Sequence, residues 1–236
     1  MTKQDFQTTL DTIVKQVLGP NAPQITLDQA EEWFTEGVKL PKEVSCGITG
    51  KTLWTAEKGE KFISLEAVMD RTKEDDFMLP PRSFKNIEEI FGAWKEINYI
   101  LASKEINSKD VLASDEIYNS SNVYKSHDIM DSKHVLLSSY NQQCEYVVAA
   151  SKSAQCQFDM RVFSSKVCTN SFDVSFSYKI RNSMFIHDSA DLSDCLFCAH
   201  IRSKRFCIAN TQLEEGEYKR LKEIILQQLF QKGFNI

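Results

Sequence analysis

The chain has 236 residues, of which 42% are hydrophobic and 26% charged. That is enough length and apolar content for a buried core, and it is not the composition of a disordered segment. A net charge of −5 with scattered Lys and Arg argues against a nucleic-acid surface built on bulk positive charge. No stretch approaches the roughly 18 apolar residues of a membrane span, and the opening Met1-Thr2-Lys3-Gln4-Asp5 has no apolar signal-peptide core. The expected location is therefore the cytosol, with neither membrane nor nucleic acid as partner.

Residues 1–42 form the first segment. Phe6, Leu10, Ile13, Val14 and Val17 fall at helical spacing, and Gly19-Pro20 ends the run. Thr26 can cap a second helix, with Gln29 completing a capping box, and that helix stops before Pro41. Residues 43–82 predict a small β module, a hairpin of 51–54 with 61–65 around Gly59. The module closes on the stiff linker Met78-Leu79-Pro80-Pro81-Arg82. Within 83–107 a helix over about 86–101 leads onward.

From 108 to 210 there is no glycine and no proline, so the tight hairpins of ordinary antiparallel proteins are missing. A six-residue repeat replaces them. One phase runs Ser108, Ser114, Ser120, Ser126, Ser132, Ser138, Cys144, Ala150, Cys156, Val162, Cys168, Val174, Ile180 and on to Lys204. The other runs Val111, Ile117, Val123, Ile129, Val135, Asn141, Val147, Ser153, Asp159, Ser165, Ser171, Ser177 and on to Cys207. Apart from Asn141, Asp159 and Lys204, every position is Ser, Cys, Ala, Val, Ile or Leu. Those types fill only about half of the segment as a whole, so the repeat is not a by-product of composition.

Such a repeat winds a parallel β-helix, in which equivalent residues stack about 4.8 Å apart and inward positions must be small or aliphatic. The fold class is thus mainly β, a single-stranded parallel β-helix with N-terminal helices and a C-terminal capping helix. A coil of 18 residues is expected, because that step aligns Tyr140, Phe158 and Phe176; a coil of 12 would align Cys144, Cys156 and Cys168 instead. The three-residue offset between small and aliphatic positions favours a right-handed helix. A bulky ladder is expected to face a small one across the interior. Asn141, Ser153 and Asp159 interrupt the pattern and predict a distorted coil or an outward loop. In 211–236 a helix from about 214 to 231 presents Tyr218, Leu221, Ile224, Ile225 and Leu229 on one side, a stripe suited to capping the last coil.

Seven cysteines without a secretion signal are expected to be reduced and to act as small apolar residues. Cys46-Gly47-Ile48-Thr49-Gly50-Lys51, the long hexad repeat, and Lys204-Arg205-Phe206-Cys207-Ile208-Ala209-Asn210 ahead of an acidic helix start containing Tyr218 occur here in that order. Over roughly residues 45–225 the chain in this respect resembles cysteine-rich hexad-repeat proteins of uncultured small-genome bacteria and phages. The resemblance implies a β-helix-like architecture, and for its N-terminal module a zinc knuckle of paired cysteines, where this chain has Cys46 alone.

Three candidate sites stand out. Cys195, Cys198, His200 and Cys207 supply four N/S ligand types for zinc, although 195 and 198 are also repeat positions. On the 18-residue coil Tyr140, Phe158 and Phe176 make an aromatic row, a surface for a protein partner or a glycan. On the same coil Lys109, His127, Glu145 and Arg181 make a polar line interrupted by Phe163. Phosphate loops, nucleophile elbows and zinc-protease motifs are missing. The expected function is a non-catalytic structural or interaction protein without a cofactor, a rigid solenoid in a larger assembly such as a phage particle. The two helical pieces before residue 40 are expected to grip the partner. A carbohydrate-binding or carbohydrate-cleaving β-helix and a zinc-binding module are the alternatives.

Overall fold

The structure is a computed structural model that describes residues 2–231 apart from 72, 74 and 75, so the last five residues of the 211–236 segment lie outside the described residues. Two helices open the chain, α1 (Lys3–Leu18) and α2 (Leu27–Phe34). Gly19 at φ 97° ends the first, and the expected capping box of Thr26 and Gln29 starts the second. The β module holds β1 (Lys42–Ser45), β2 (Thr52–Thr55), β3 (Phe62–Ser64) and the short helix α3 (Leu65–Met69). The predicted hairpin of 51–54 with 61–65 does not form. β2 pairs antiparallel with β1, and β3 pairs parallel with β4 (Ile100–Ala102), which follows α4 (Ile87–Ile97). Releasing β3 from β2 lets the module stack its strand directly on the start of the solenoid.

The solenoid has about nine turns, and its coil is twelve residues, not eighteen. Each strand pairs in parallel with the one twelve positions on: Val111 with Val123, Val123 with Val135, Val135 with Val147. From Asn107 to Ala209 every third residue has positive φ, between 43° and 59°, and none is glycine. The coil therefore bends four times and has four short sides, each contributing one inward residue. Asn and Asp tolerate this left-handed conformation best among residues with a Cβ. They recur at the bends and link to one another between rungs, as in Asn107 to Asn119 (3.4 Å) and Asn119 to Asp131 (3.1 Å).

On a four-sided coil, positions six apart lie on opposite walls. Serine walls therefore face each other, as do Val and Ile walls, so the expected pairing of a bulky ladder with a small one is replaced by alternation around the coil. The serine walls are threaded by hydrogen bonds. Ser126 Oγ donates to the Tyr124 carbonyl (2.8 Å) and accepts from the Ser138 N–H one rung on (3.1 Å). A hydroxyl thus serves the backbone where the chain bends and the regular ladder breaks.

No outward loop forms at Asn141, Ser153 or Asp159, all of which are buried. Asn141 Oδ1 accepts from Ser153 N–H (3.1 Å) and Asp159 Oδ1 from Ser171 N–H (2.8 Å). They do the work of serine where the serine and aliphatic walls exchange. Burial raises the Asp159 carboxyl well above its ordinary value, against the pull of the two N–H groups that bond it.

The outer face carries a second ladder, Tyr124, Leu136, Val148, Met160, Phe172, Met184 and Leu196, each twelve residues from the last and each buried. α1 and α2 cover it. Phe6 stacks on Tyr124 (5.1 Å) and Phe34 meets Phe172 edge-on (5.8 Å). The helices expected to reach for a partner are instead part of the fold. Helix α5 (Glu215–Gln231) adds to this lateral core, with Tyr218 against Phe206 (5.5 Å) and Ile225 and Leu226 beside it.

Among the described residues no side chain of α5 belongs to the apolar cluster of the interior column. The last coil ends in an antiparallel turn, Cys207 with Gln212 and Ile208 with Thr211. There Lys204 takes the wall position above Leu192 and is exposed. A turn and a lysine at a sheet edge both disfavour strand addition. No described helix is long and apolar enough to cross a membrane.

Candidate partner surfaces

The twelve-residue coil takes the predicted sites apart. Tyr140 and Phe176 share one ladder, three coils apart, and Phe158 is on the opposite face. Phe158 stacks on Tyr146 (4.6 Å) in the lateral core under the N-terminal helices. Tyr140 packs against His127 (5.4 Å) beneath Lys39. Only Phe176, 55% exposed, is on the surface. Lys109, Glu145 and Arg181 do share one outer ladder, three coils apart, but His127 belongs to the opposite wall and is 1% exposed. Phe163 stands on the His127 ladder rather than interrupting the charged one.

The zinc set separates as well. Cys195, Cys198 and Cys207 are buried inward residues, whereas His200 points outward and bonds Asp188 through Nδ1 (2.9 Å). The neighbouring Cys198 thiol and burial push Cys195 up from its ordinary value. Among the described residues no group of three or more His, Cys, Asp or Glu is arranged to hold a metal. In the N-terminal module Thr49 stands where a knuckle would need a second thiol. Burial opposes ionisation of Cys46. The Thr49 hydroxyl and the N–H groups of Thr49, Ile48 and Ser64 outweigh it and bring this thiol down to about 6.

His127 belongs to a half-buried polar junction that the sequence did not reveal, because its members come from three separate segments. Its Nε2 lies 3.7 Å from Glu57 and 3.9 Å from Glu116. Lys39 pairs with Glu57 (2.7 Å), Lys104 pairs with Glu116, and the Lys39 N–H bonds Ser139 Oγ (3.2 Å). Asp115, one rung before His127, accepts from the Lys104 N–H (2.8 Å). Burial lowers the His127 pKa, and Lys39 adds to that while Glu116, Asp115 and Asp128 oppose it. The junction fastens the segment after α2 and the β module to the solenoid, with the His127 imidazole buried within it.

Two exposed surfaces stand out among the described residues. One is a strip that zigzags along the solenoid: Lys152 over Phe163 (5.6 Å), Phe163 against Phe176 (5.4 Å), Phe176 against His187 (5.6 Å), His187 against His200 (5.8 Å). Ser175 Oγ is 2.9 Å from His187 Nδ1. That is the contact of a nucleophile with its base, but no described residue bonds the far side of the imidazole to complete a catalytic relay.

The other surface is α4. Its Asn86 cap accepts from Glu89 N–H, so the helix is well started. Even so, Ile87, Ile90, Phe91 (58% exposed) and Trp94 (55% exposed) lie open to solvent. Phe77, Met78 and Phe84 of the proline-rich linker are exposed beside them, and a groove of roughly 440 Å³ runs between linker and helix. Sequence reading assigns this segment as a lead into the solenoid. The apolar positions were visible, but nothing in the sequence says which apolar face stays uncovered. No family model matches this chain and no curated protein matches it, so the β-solenoid of about nine turns is what characterises it.

Proposed function

We propose that this chain is a non-catalytic structural and interaction protein, a rigid solenoid platform that joins a larger assembly through α4 and the adjoining linker. The observation that carries the reading is the contiguous apolar surface of Ile87, Ile90, Phe91, Trp94, Phe77, Met78 and Phe84. Exposed patches of this kind, rimmed by charge, mark association sites on soluble proteins. The solenoid supports it by holding the module in place through strand pairing of β3 with β4 and through the His127 junction. A photo-crosslinking residue at position 91 or 94, activated in the producing cell, is expected to give a discrete protein adduct. A chain that stays free of adducts at both positions, while crosslinking normally at an unrelated control site, would refute the reading.

The strip Phe163–Phe176–His187–His200 favours a second reading, a carbohydrate-binding solenoid, since exposed rings at regular spacing suit the faces of sugar rings. Glycan-array binding that is lost on Phe176→Ala would establish it. Turnover of a polysaccharide abolished by Ser175→Ala would extend it to cleavage.

A further inference from the structure

The partner of α4 has a chemistry that can be read from the helix. Ile87, Phe91 and Trp94 form its open ridge, and the charged positions along one flank of that ridge are Glu88 and Lys95, one heptad apart. Both are exposed. Neither has an ion-pair or hydrogen-bond partner among the described residues. The other charges of the helix are engaged: Glu89 accepts from the Lys85 N–H (2.8 Å), and Glu96 is held by both guanidinium nitrogens of Arg82 (3.0 and 3.2 Å). The helix therefore offers a free negative and a free positive charge beside an uncovered apolar ridge.

We infer that α4 pairs with α4 of a second copy of this chain, antiparallel, about a two-fold axis near Phe91; this rests on the proposed role of α4 as an association surface. In an antiparallel pair related by such an axis, like flanks meet, and residue i of one helix lies within about one residue of a position j for which i plus j is twice 91. Phe91 then meets its own counterpart, Ile87 meets Trp94 in both directions, and Glu88 meets Lys95 twice. A parallel pair would instead turn the Glu88–Lys95 flank toward the Ile90–Ile97 flank of the other helix and leave both charges unmatched. The helix is about 16 Å long, so the ridge by itself makes a small interface. Phe77, Met78 and Phe84, open beside it, extend the apolar area toward the roughly 800 Å² per partner of a stable association.

The full chain at about 50 µM is expected to run in light-scattering chromatography at twice its mass of 27.1 kDa. Phe91→Asp and Trp94→Asp should each give a monomer with unchanged circular dichroism and urea midpoint. Glu88→Lys alone and Lys95→Glu alone should each weaken the dimer roughly tenfold by setting like charges together, and the double swap Glu88→Lys/Lys95→Glu should restore it. A wild-type monomer, or a double swap no better than either single variant, would overturn the inference. Crosslinks from position 91 to a different protein only would also overturn it while leaving the association surface intact. A monomer without any crosslink removes both.

Discussion

Helices α1 and α4 are both amphipathic, and the chain treats them oppositely. The apolar face of α1 is seated on the outer ladder of the solenoid, with Phe6, Leu10 and Ile13 fully excluded from water. That of α4 carries side chains as large, left in solvent. Burial of such a face is what stabilises a helix of this length, so an uncovered one is a surface kept for another molecule. The difference separates the closed side of this protein from its open side. A solenoid alone would expose its Tyr124-to-Leu196 ladder as one apolar stripe, and the chain devotes its first forty residues to covering it.

The largest expected effect tests that contrast directly. Leu10→Ala should cost about 2–5 kcal/mol of stability, and Ile90→Ala less than about 0.5 kcal/mol, both measured by urea unfolding. Equal losses would mean that α4 is buried within the fold and that the contrast fails. Beneath the cover, Ser126→Ala leaves the Ser138 N–H without its acceptor and should cost about 1–3 kcal/mol. Cys144→Ser places a hydroxyl where Ser132 already has one and should cost about 1 kcal/mol or less.

The junction at His127 holds down the tail of that cover and should respond to pH. The folded-state pKa of His127 lies below its ordinary 6.5, and that of Glu57 below its ordinary 4.5, the latter chiefly through Lys39. For both groups the unfolded chain binds the extra protons first, so the stability they contribute is present above those ordinary values and is lost as pH falls through the folded ones. The thermal midpoint should begin to drop below pH 6.5 and drop further below pH 4.5. His127→Phe should reduce the first fall, the rest of which belongs to His134, also held below its ordinary value by burial, and leave the second. The smallest effect belongs to the open strip, where Phe176→Ala should leave the thermal midpoint unchanged within error, since its ring is mostly in water.

The solenoid was legible in the sequence because its interior admits so few residue types that a period of six shows through. Coil length was not legible from that period, since six divides both twelve and eighteen. The deciding signal lay outside the repeat. Steps of twelve from Leu112 meet only apolar residues through Ile208, whereas steps of eighteen meet Lys166 and Arg202. The cover on α1 and α2 is what makes that outer ladder apolar, so the helices already read at the N-terminus held the clue to the coil. The junction and the open face of α4 were beyond sequence reading for a different reason. Each depends on which segments meet in space, and Lys39, Glu57, Glu116 and His127 share no local pattern.

The bend at every third residue has a consequence for how this chain tolerates changes in length. An insertion of one or two residues in the solenoid would throw every downstream wall residue out to solvent. An insertion of three would keep the interior inside but rotate all later walls by a quarter turn, and twelve would add one full rung and leave everything else in place. The exchange of serine and aliphatic walls between Asn141 and Val162 is the change in wall chemistry that a quarter-turn slip would leave behind. Yet the outer ladder runs straight through it, from Val148 to Met160 to Phe172, because α1 and α2 hold it to one side. The inner surface of this protein is free to turn relative to its outer one, and the helices act as the keel that fixes which way the outside faces.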